Sequence, residues 1–344
     1  MTDRGEEGWF TSPVAVHLIA WARKQGVDVD AALAEARLDA SEVTGQPRRL
    51  SVAAVERLLA ALGRRIPDES FALRSGAVAP AALIPLLGPM MTASMSLEEA
   101  FEALGRHSSL ASDRLVVQVE RSGERLCVTS TWLVRSELIQ RHATESAAAH
   151  WVAFADTICL EAPPVQEVRF PFAPPSAAAQ RAHREYFGVA PNYGGSTGLQ
   201  VAWTLGADTR LRTQDATLVG ILRQPIEDET VQPGTRRRVE RALLAAKQPA
   251  ALGVEAMAAE LGISARTLAR RLASDGTSFG ELAQRTLEGR AKAALAAPDA
   301  TVGSVARDLG YATRNSFHRA FLRWTGATPA QWKRGRSARP PGSD

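Results

Sequence analysis

Val254-Glu-Ala-Met-Ala-Ala-Glu-Leu-Gly-Ile263 and Val302-Gly-Ser-Val-Ala-Arg-Asp-Leu-Gly-Tyr311 are two copies of one pattern. The first is followed by Ser264-Ala-Arg-Thr-Leu-Ala-Arg-Arg-Leu272, the second by Ala312-Thr-Arg-Asn-Ser-Phe-His-Arg-Ala-Phe321. Val254, Ala258, Leu261 and Gly262 match Val302, Ala306, Leu309 and Gly310 at a constant offset of 48. Beyond the glycine the offset is 49, pairing Ser264, Leu268, Arg270 and Leu272 with Thr313, Phe317, Arg319 and Phe321.

Each copy reads as a short helix, a glycine turn and a second helix. Glycine enters the left-handed region without a Cβ clash, which suits the residue just past a helix. Ser264 and Thr313 are hydroxyl N-caps for the helices that follow. Ala258 and Ala306 are small enough for two helices to cross closely. The i, i+4 apolar pairs Leu268/Leu272 and Phe317/Phe321 turn one face inward. The opposite face then carries Arg266, Ala269 and Arg270 in the first copy, and Arg314, Asn315, Ser316 and Arg319 in the second. Arginine on the exposed early turns of such a helix suits major-groove reading, because its fork bonds guanine bidentately. A plain helical bundle with solvated arginines is the competing reading, and two copies in register count against it.

The stretch Ala306 to Trp332, with Ala-x-x-Leu-Gly-Tyr, Phe317-x-x-Ala-Phe and Gly326-Ala-Thr-Pro-Ala-Gln-Trp332, resembles the C-terminal DNA-binding domain of the AraC/XylS transcriptional regulators. In that family a long helix joins two helix-turn-helix motifs, and both recognition helices enter successive major-groove segments on one face of the duplex. The resemblance implies double-stranded operator or promoter DNA as the partner, with RNA polymerase as a further partner of an activator. Two departures stand out. Gly289 lies inside the linking helix expected over Phe279 to Ala296, at a cost of roughly 1 kcal/mol against alanine. Ala269 stands where the family often carries a base-reading side chain.

The 344 residues suffice for two domains, and 45% hydrophobic with 23% charged residues fits a globular protein. The net charge of +4 hides an asymmetry. Arg236 to Pro340 holds 19 Lys/Arg against 8 Asp/Glu, whereas residues 1 to 235 hold 22 against 28. A basic block on an acidic partner is the footprint of a polyanion-binding module. The first residues show no apolar signal region and no apolar run is long enough to cross a membrane, so the expectation is a cytoplasmic protein with no membrane partner.

Along the chain, residues 1 to 12 are expected to be frayed. Helices are predicted over Val14 to Lys24, Val29 to Ala36 and Val52 to Leu62, the last capped by Ser51 and preceded by a break at Gly45-Gln-Pro47. Ser96-Leu-Glu-Glu99 reads as a capping box for a helix to about Arg106. Leu115 to Glu120 and Arg125 to Val134 read as a hairpin around Ser122-Gly123. A long helix over Ser136 to Leu160 follows, then strands over Val165 to Phe170 and Leu199 to Leu205, and helices over Ala177 to Phe187 and Asp215 to Leu222. This gives an α+β domain over 1–224, a polar linker over 225–234, and an all-α domain over 235–340 with motifs at about 254–273 and 302–323. The early helices, the Met90 to Leu104 segment and the Val165-x-x-Val-Arg-Phe strand resemble the arabinose-binding-like N-terminal domain of AraC relatives. That resemblance implies effector binding and homodimerisation, and leaves the effector unnamed.

No residue set points to a cofactor. His142 and His150 lie eight residues apart near Glu145, but three scattered groups on one helix lack zinc spacing, and no metal is expected. Gly-x-Ser-x-Gly, dinucleotide and Walker patterns are absent, and Tyr193-Gly-Gly-Ser-Thr-Gly198 precedes a strand rather than a helix. The rival function is a bifunctional protein with an enzymatic N-terminal half. Cys127 and Cys159, the only cysteines, sit in apolar runs that disfavour a thiolate, so no catalytic residue is assigned. A structural nucleoid protein is the third reading, and it leaves the acidic half without a purpose. Trp132, Trp151, Phe154 and Trp203 are expected in the core more than in a pocket.

Overall fold

The structure, a computed structural model, describes residues 8–40, 43, 47–194, 198–206, 209–229, 235–296 and 300–337. Two compact units result, one of Met1–Tyr193 with Gly198–Val231, the other centred on Gln232–Asp344.

The first unit opens with β1 (Trp9–Thr11), which pairs antiparallel with β2 (Arg49–Ser51). Residues 8 to 12 are therefore ordered rather than frayed: Phe10 is buried opposite Leu50, and this pairing outweighs the polarity of the preceding residues. Around it pack α1 (Ser12–Lys24), α2 (Val29–Ala36) and α3 (Val52–Arg65). Ser51 caps α3 by accepting the Ala54 N–H at 3.2 Å. Gly45 and Gln46, from the expected break, lie outside the described residues. Next come α4 (Phe71–Ala77), α5 (Leu87–Ala93) and α6 (Leu97–His107). Ser96 caps α6 through the Glu99 N–H, but Glu99 reaches back to the Met95 N–H at 2.8 Å, so the expected box closes one residue earlier.

The main sheet has five strands in the order β3-β4-β7-β5-β6: β3 (Leu115–Ser122), β4 (Arg125–Trp132), β5 (Val165–Phe170), β6 (Asn192–Tyr193) and β7 (Leu199–Thr204). All neighbours are antiparallel except β5 and β6. Of the glycine-rich run after β6, Gly195–Thr197 lie outside the described residues. Helix α7 (Glu137–Ile158) spans both apolar cores of this unit. Ile139 joins the core of α1–α3, whereas Ala148 to Ile158 join the core under the sheet. Trp132 packs against both, and Trp151, Phe154 and Trp203 are buried with Phe101 under the sheet. Where α4 crosses α7, a Cβ on Gly76 would lie 2.3 Å from the Ser146 carbonyl oxygen, so the crossing requires glycine.

After α8 (Ala177–Phe187) the unit ends in α9 (Ala216–Glu229). This corrects the expected linker over 225–234, because residues 225–229 continue the helix through Pro225. Val219 and Ile226 bury against the core, and that burial outweighs the backbone hydrogen bond that proline removes. The remaining linker residues, 230–234, lie outside the described residues.

The second unit is wholly helical: α10 (Thr235–Ala245), α11 (Val254–Glu260), α12 (Ala265–Ser274), α13 (Phe279–Ala296), α14 (Val302–Asp308), α15 (Arg314–Thr325) and α16 (Pro329–Ser337). Its apolar residues form two cores. Leu282 of α13 sits in one with α10–α12, and Leu287, Ala291 and Leu295 sit in the other with α14–α16. The long helix thus serves two small domains in turn. The chain is α+β in its first half and all-α in its second.

Candidate nucleic-acid interface

Helices α12 and α15 are each entered through the same backbone device. Ile263 donates to the Ala258 carbonyl and Gly262 to that of Ala259, both at 3.0 Å. In the second copy Tyr311 donates to Ala306 and Gly310 to Arg307, both at 2.9 Å. Such paired bonds end α11 and α14 in Schellman turns, which place glycine in the left-handed region. Gly262 and Gly310 lie there, at φ 68° and 89°. The second turn is also held from outside: a Cβ on Gly310 would meet the Gln248 Cβ at 2.7 Å, and the Ala250 N–H donates to Leu309.

The caps fall on the expected hydroxyls. Ser264 accepts the Thr267 N–H at 3.2 Å. Thr313 accepts the Ser316 N–H at 3.1 Å, and the Ser316 hydroxyl accepts the Thr313 N–H in return. Ser316 is half-buried with its hydroxyl engaged in this box, so the geometry gives it a capping task. Leu268, Leu272, Phe317 and Phe321 are fully buried, which fixes the roll of both helices. Around Phe317 and Phe321, the rings of Tyr311, Trp324 and Trp332 pack at centroid distances of 5.4 to 6.5 Å. On the opposite faces Arg266, Ala269 and Arg270 are exposed on α12, and Arg314, Asn315 and Arg319 on α15.

The basic side chains of this unit include two contrasting groups. Arg290 donates to the Ala246 carbonyl at the end of α10, Arg238 to that of Leu261, and Lys333 to that of Ala300. Arg236 and Lys292 pair with Glu240 and Glu288 one turn away. These five hold the fold. No described residue partners the guanidinium groups of Arg266, Arg270, Arg314 or Arg319, which leaves their donors available to a ligand. One residue escaped the reading of the sequence. Arg323, one turn beyond Arg319, lines with it and Gln284 a surface concavity between α13 and α15. Its i+4 spacing from Arg319 was the available signal.

Among the described residues no three His, Cys, Asp or Glu side chains gather into a metal-holding group. His142 and Glu145, grouped in the sequence, have different surroundings: Glu145 bonds Arg141, and His142 faces an apolar cavity. Burial pushes the Cys159 thiol up to about 11, away from the thiolate that nucleophilic chemistry needs. No helix among the described residues is long and apolar enough to cross a membrane.

Known proteins match both parts of the chain. The profile of the arabinose-binding domain of AraC transcription regulators matches residues 26–201, and a helix-turn-helix domain profile matches residues 257–335. The transcriptional regulator VirS of Mycobacterium tuberculosis is 26% identical over 292 residues, covering 83% of this chain and 84% of VirS. The ornithine utilization regulator of Pseudomonas aeruginosa is 30% identical over 175 residues, 49% of this chain and 51% of that protein. The crystal structure of the transcriptional regulator CdpR from Pseudomonas aeruginosa aligns with 92% of this chain and 98% of its own, at 19% identity and a TM-score of 0.42. The chain belongs to the AraC family of helix-turn-helix transcription regulators.

Proposed function

We propose that the chain is a sequence-specific regulator in which α12 and α15 read one face of a duplex, using Arg266, Arg270, Arg314, Asn315 and Arg319, with Arg323 on the flanking phosphates. The observation that carries this is the set of four exposed guanidinium groups, without a partner among the described residues, on two helices each capped by a hydroxyl. Helix α13, 18 residues long, spans roughly 27 Å. Major-groove segments recur about 34 Å apart, and the widths of the two motifs make up the difference. The N-terminal unit serves as the effector and dimerisation half of a cytoplasmic homodimer, and RNA polymerase is a further partner if the protein activates. The raised thiol of Cys159 speaks against a cysteine nucleophile at that position, the form of the bifunctional reading the sequence offered.

A footprint of the full-length protein on its selected operator tests this reading. Each monomer should protect two contact centres about one helical turn apart, and affinity should fall steeply with salt as phosphates release counterions. Protection of a single groove segment that persists when Arg266 and Arg270 are both replaced by alanine would remove the first motif from the interface.

A further inference from the structure

The N-terminal unit contains a cavity of about 130 Å³ walled by α1, α3, α4 and α7, the segment before α5, and Trp132 of β4. Leu18, Leu58 and Ile84 are typical of its lining, and no Asp, Glu, Lys or Arg lines it among the described residues. Three histidines interrupt this largely apolar wall, and since His17 Nε2 is engaged with the Ser75 carbonyl at 2.7 Å, His142 and His150 stand out. His142 Nδ1 and His150 Nδ1 are buried without a hydrogen-bond partner among the described residues, while each residue as a whole is half-buried. Burial pushes both imidazoles down to about 4, so they are neutral at physiological pH. A neutral imidazole offers one donor and one acceptor. Buried polar atoms without partners are costly, and in a native fold each calls for a complement.

Size, charge and spacing then define that complement. An apolar cavity of about 150 Å³ holds benzene, so this one takes a single ring or a chain of similar bulk. A carboxylate or ammonium would enter without a counter-charge, at a prohibitive desolvation cost. A sugar would bring several hydroxyls to a wall that can satisfy few of them. The histidines lie eight residues apart on α7, roughly 12 Å along the axis. Eight residues also turn the two side chains about 80° apart around the helix, so a single para-substituted ring with a polar group at each end is the scale of molecule that fits between them. The wall has a strained edge as well. Leu83 and Ile84 precede Leu86, whose φ of 59° and ψ of −52° form a γ-turn closed by the Leu87 N–H on the Pro85 carbonyl at 2.6 Å. Such turns store strain that a ligand can release.

We propose that this cavity is the effector site, and that it takes a small neutral molecule with an apolar middle and a hydrogen-bonding group at each end, held between His142 and His150. The proposal rests on the reading of the N-terminal unit as the effector half.

The test titrates full-length protein, without DNA, by calorimetry and by the fluorescence of Trp132 and Trp151, which line the cavity. The probes are 4-hydroxyacetophenone, the similarly sized but charged 4-hydroxybenzoate, and arabinose. The neutral phenol should bind saturably, and the other two should not. His142→Leu and His150→Leu should each weaken the neutral probe about tenfold, the loss of one hydrogen bond. Absence of saturable binding by the neutral phenol at millimolar concentration overturns the site, as does equal binding of 4-hydroxybenzoate or wild-type affinity in both leucine variants. The preference among probes is measured on the wild type, so it decides the matter even where a variant fails to fold. Probe binding that leaves operator affinity unchanged would instead overturn effector control while leaving the site intact.

Discussion

The two units keep their polar chemistry in opposite places. In the C-terminal unit the arginines proposed to read DNA stand in solvent on two short helices, and the buried side of each helix is wholly apolar. In the N-terminal unit the unusual polar groups are inside. Glu145 and His183 are buried, and Glu145 meets Arg141, itself bonded to Glu69 at 2.7 Å. A surface that presents charge to a partner can change without disturbing its fold, so its substitutions should register in affinity. A buried titrating group is part of the fold, so its substitutions should register in stability and in pH dependence.

The largest effect expected from this contrast is at Glu145. Burial raises its carboxyl from an ordinary 4.5 to about 7, against the pull of Arg141. The folded state therefore binds this proton more tightly than the unfolded chain does. The resulting stability is fully present below pH 4.5, and is lost as pH rises to about 7. Glu145→Gln keeps the shape and removes the charge. The variant should match the parent at low pH and exceed it by about 3 kcal/mol above pH 7, as read from urea unfolding across pH. His142, His150 and His183, each pushed down to about 4, oppose this trend, since their stability is present above 6.5 and lost toward 4. They titrate in both proteins and cancel in the difference. Because burial and Arg141 hold His183 neutral, its 3.8 Å approach to Glu145 is not an ion pair. Parallel unfolding profiles for parent and variant would show that Glu145 titrates as if exposed, and the contrast between the units would lose its strongest case.

At the other pole, Arg270→Ala and Arg319→Ala should each cost about 1–3 kcal/mol at the cognate operator and relax base preference there. Both side chains are exposed with no described partner, so urea midpoints should not move. Wild-type affinity in either variant would remove that arginine from the readout. A shifted midpoint would mean that it also holds the fold, as Arg290 does at the end of α10.

The same contrast explains what the sequence discloses. The helix-turn-helix units rest on interactions within about a dozen residues: a cap hydroxyl, a glycine at positive φ, an apolar pair one turn apart. Each leaves a local signature, and α13 spans the predicted Phe279 to Ala296. The strands Leu115–Ser122 and Val165–Phe170 were visible by alternation and by their bounding turns. Their order in the sheet was not, because β7 enters between β4 and β5 through contacts distant along the chain. Helix α9 runs to Glu229 because Ile226 finds the core, and the local reading saw only Pro225 and a polar run. The cavity was illegible for a further reason. His142 and His150 are recognisable as a pair only when α1, α3 and the segment before α5 close around them. Ser316 was half legible: its spacing places it on the reading face, and only the structure shows its hydroxyl closing the cap of its own helix.

The smallest predicted effect sharpens the boundary between affinity and stability inside the C-terminal unit itself. Gly289 is exposed on α13, on the outer side of the stretch whose Leu287, Ala291 and Leu295 pack in the second core, and a Cβ there would meet nothing within 4 Å. Alanine in an open helix interior removes the backbone entropy cost of glycine, so Gly289→Ala should stabilise this unit by about 1 kcal/mol. Thermal unfolding should register that gain. Operator affinity should stay unchanged, because α13 already reaches both cores as a continuous helix and seating the two motifs requires no bend at this position. If stability rises while affinity falls, the linking helix must flex at Gly289 when both motifs engage. The glycine would then belong to the interface despite touching nothing, and the separation of affinity from stability would fail in the helix that joins the two reading heads.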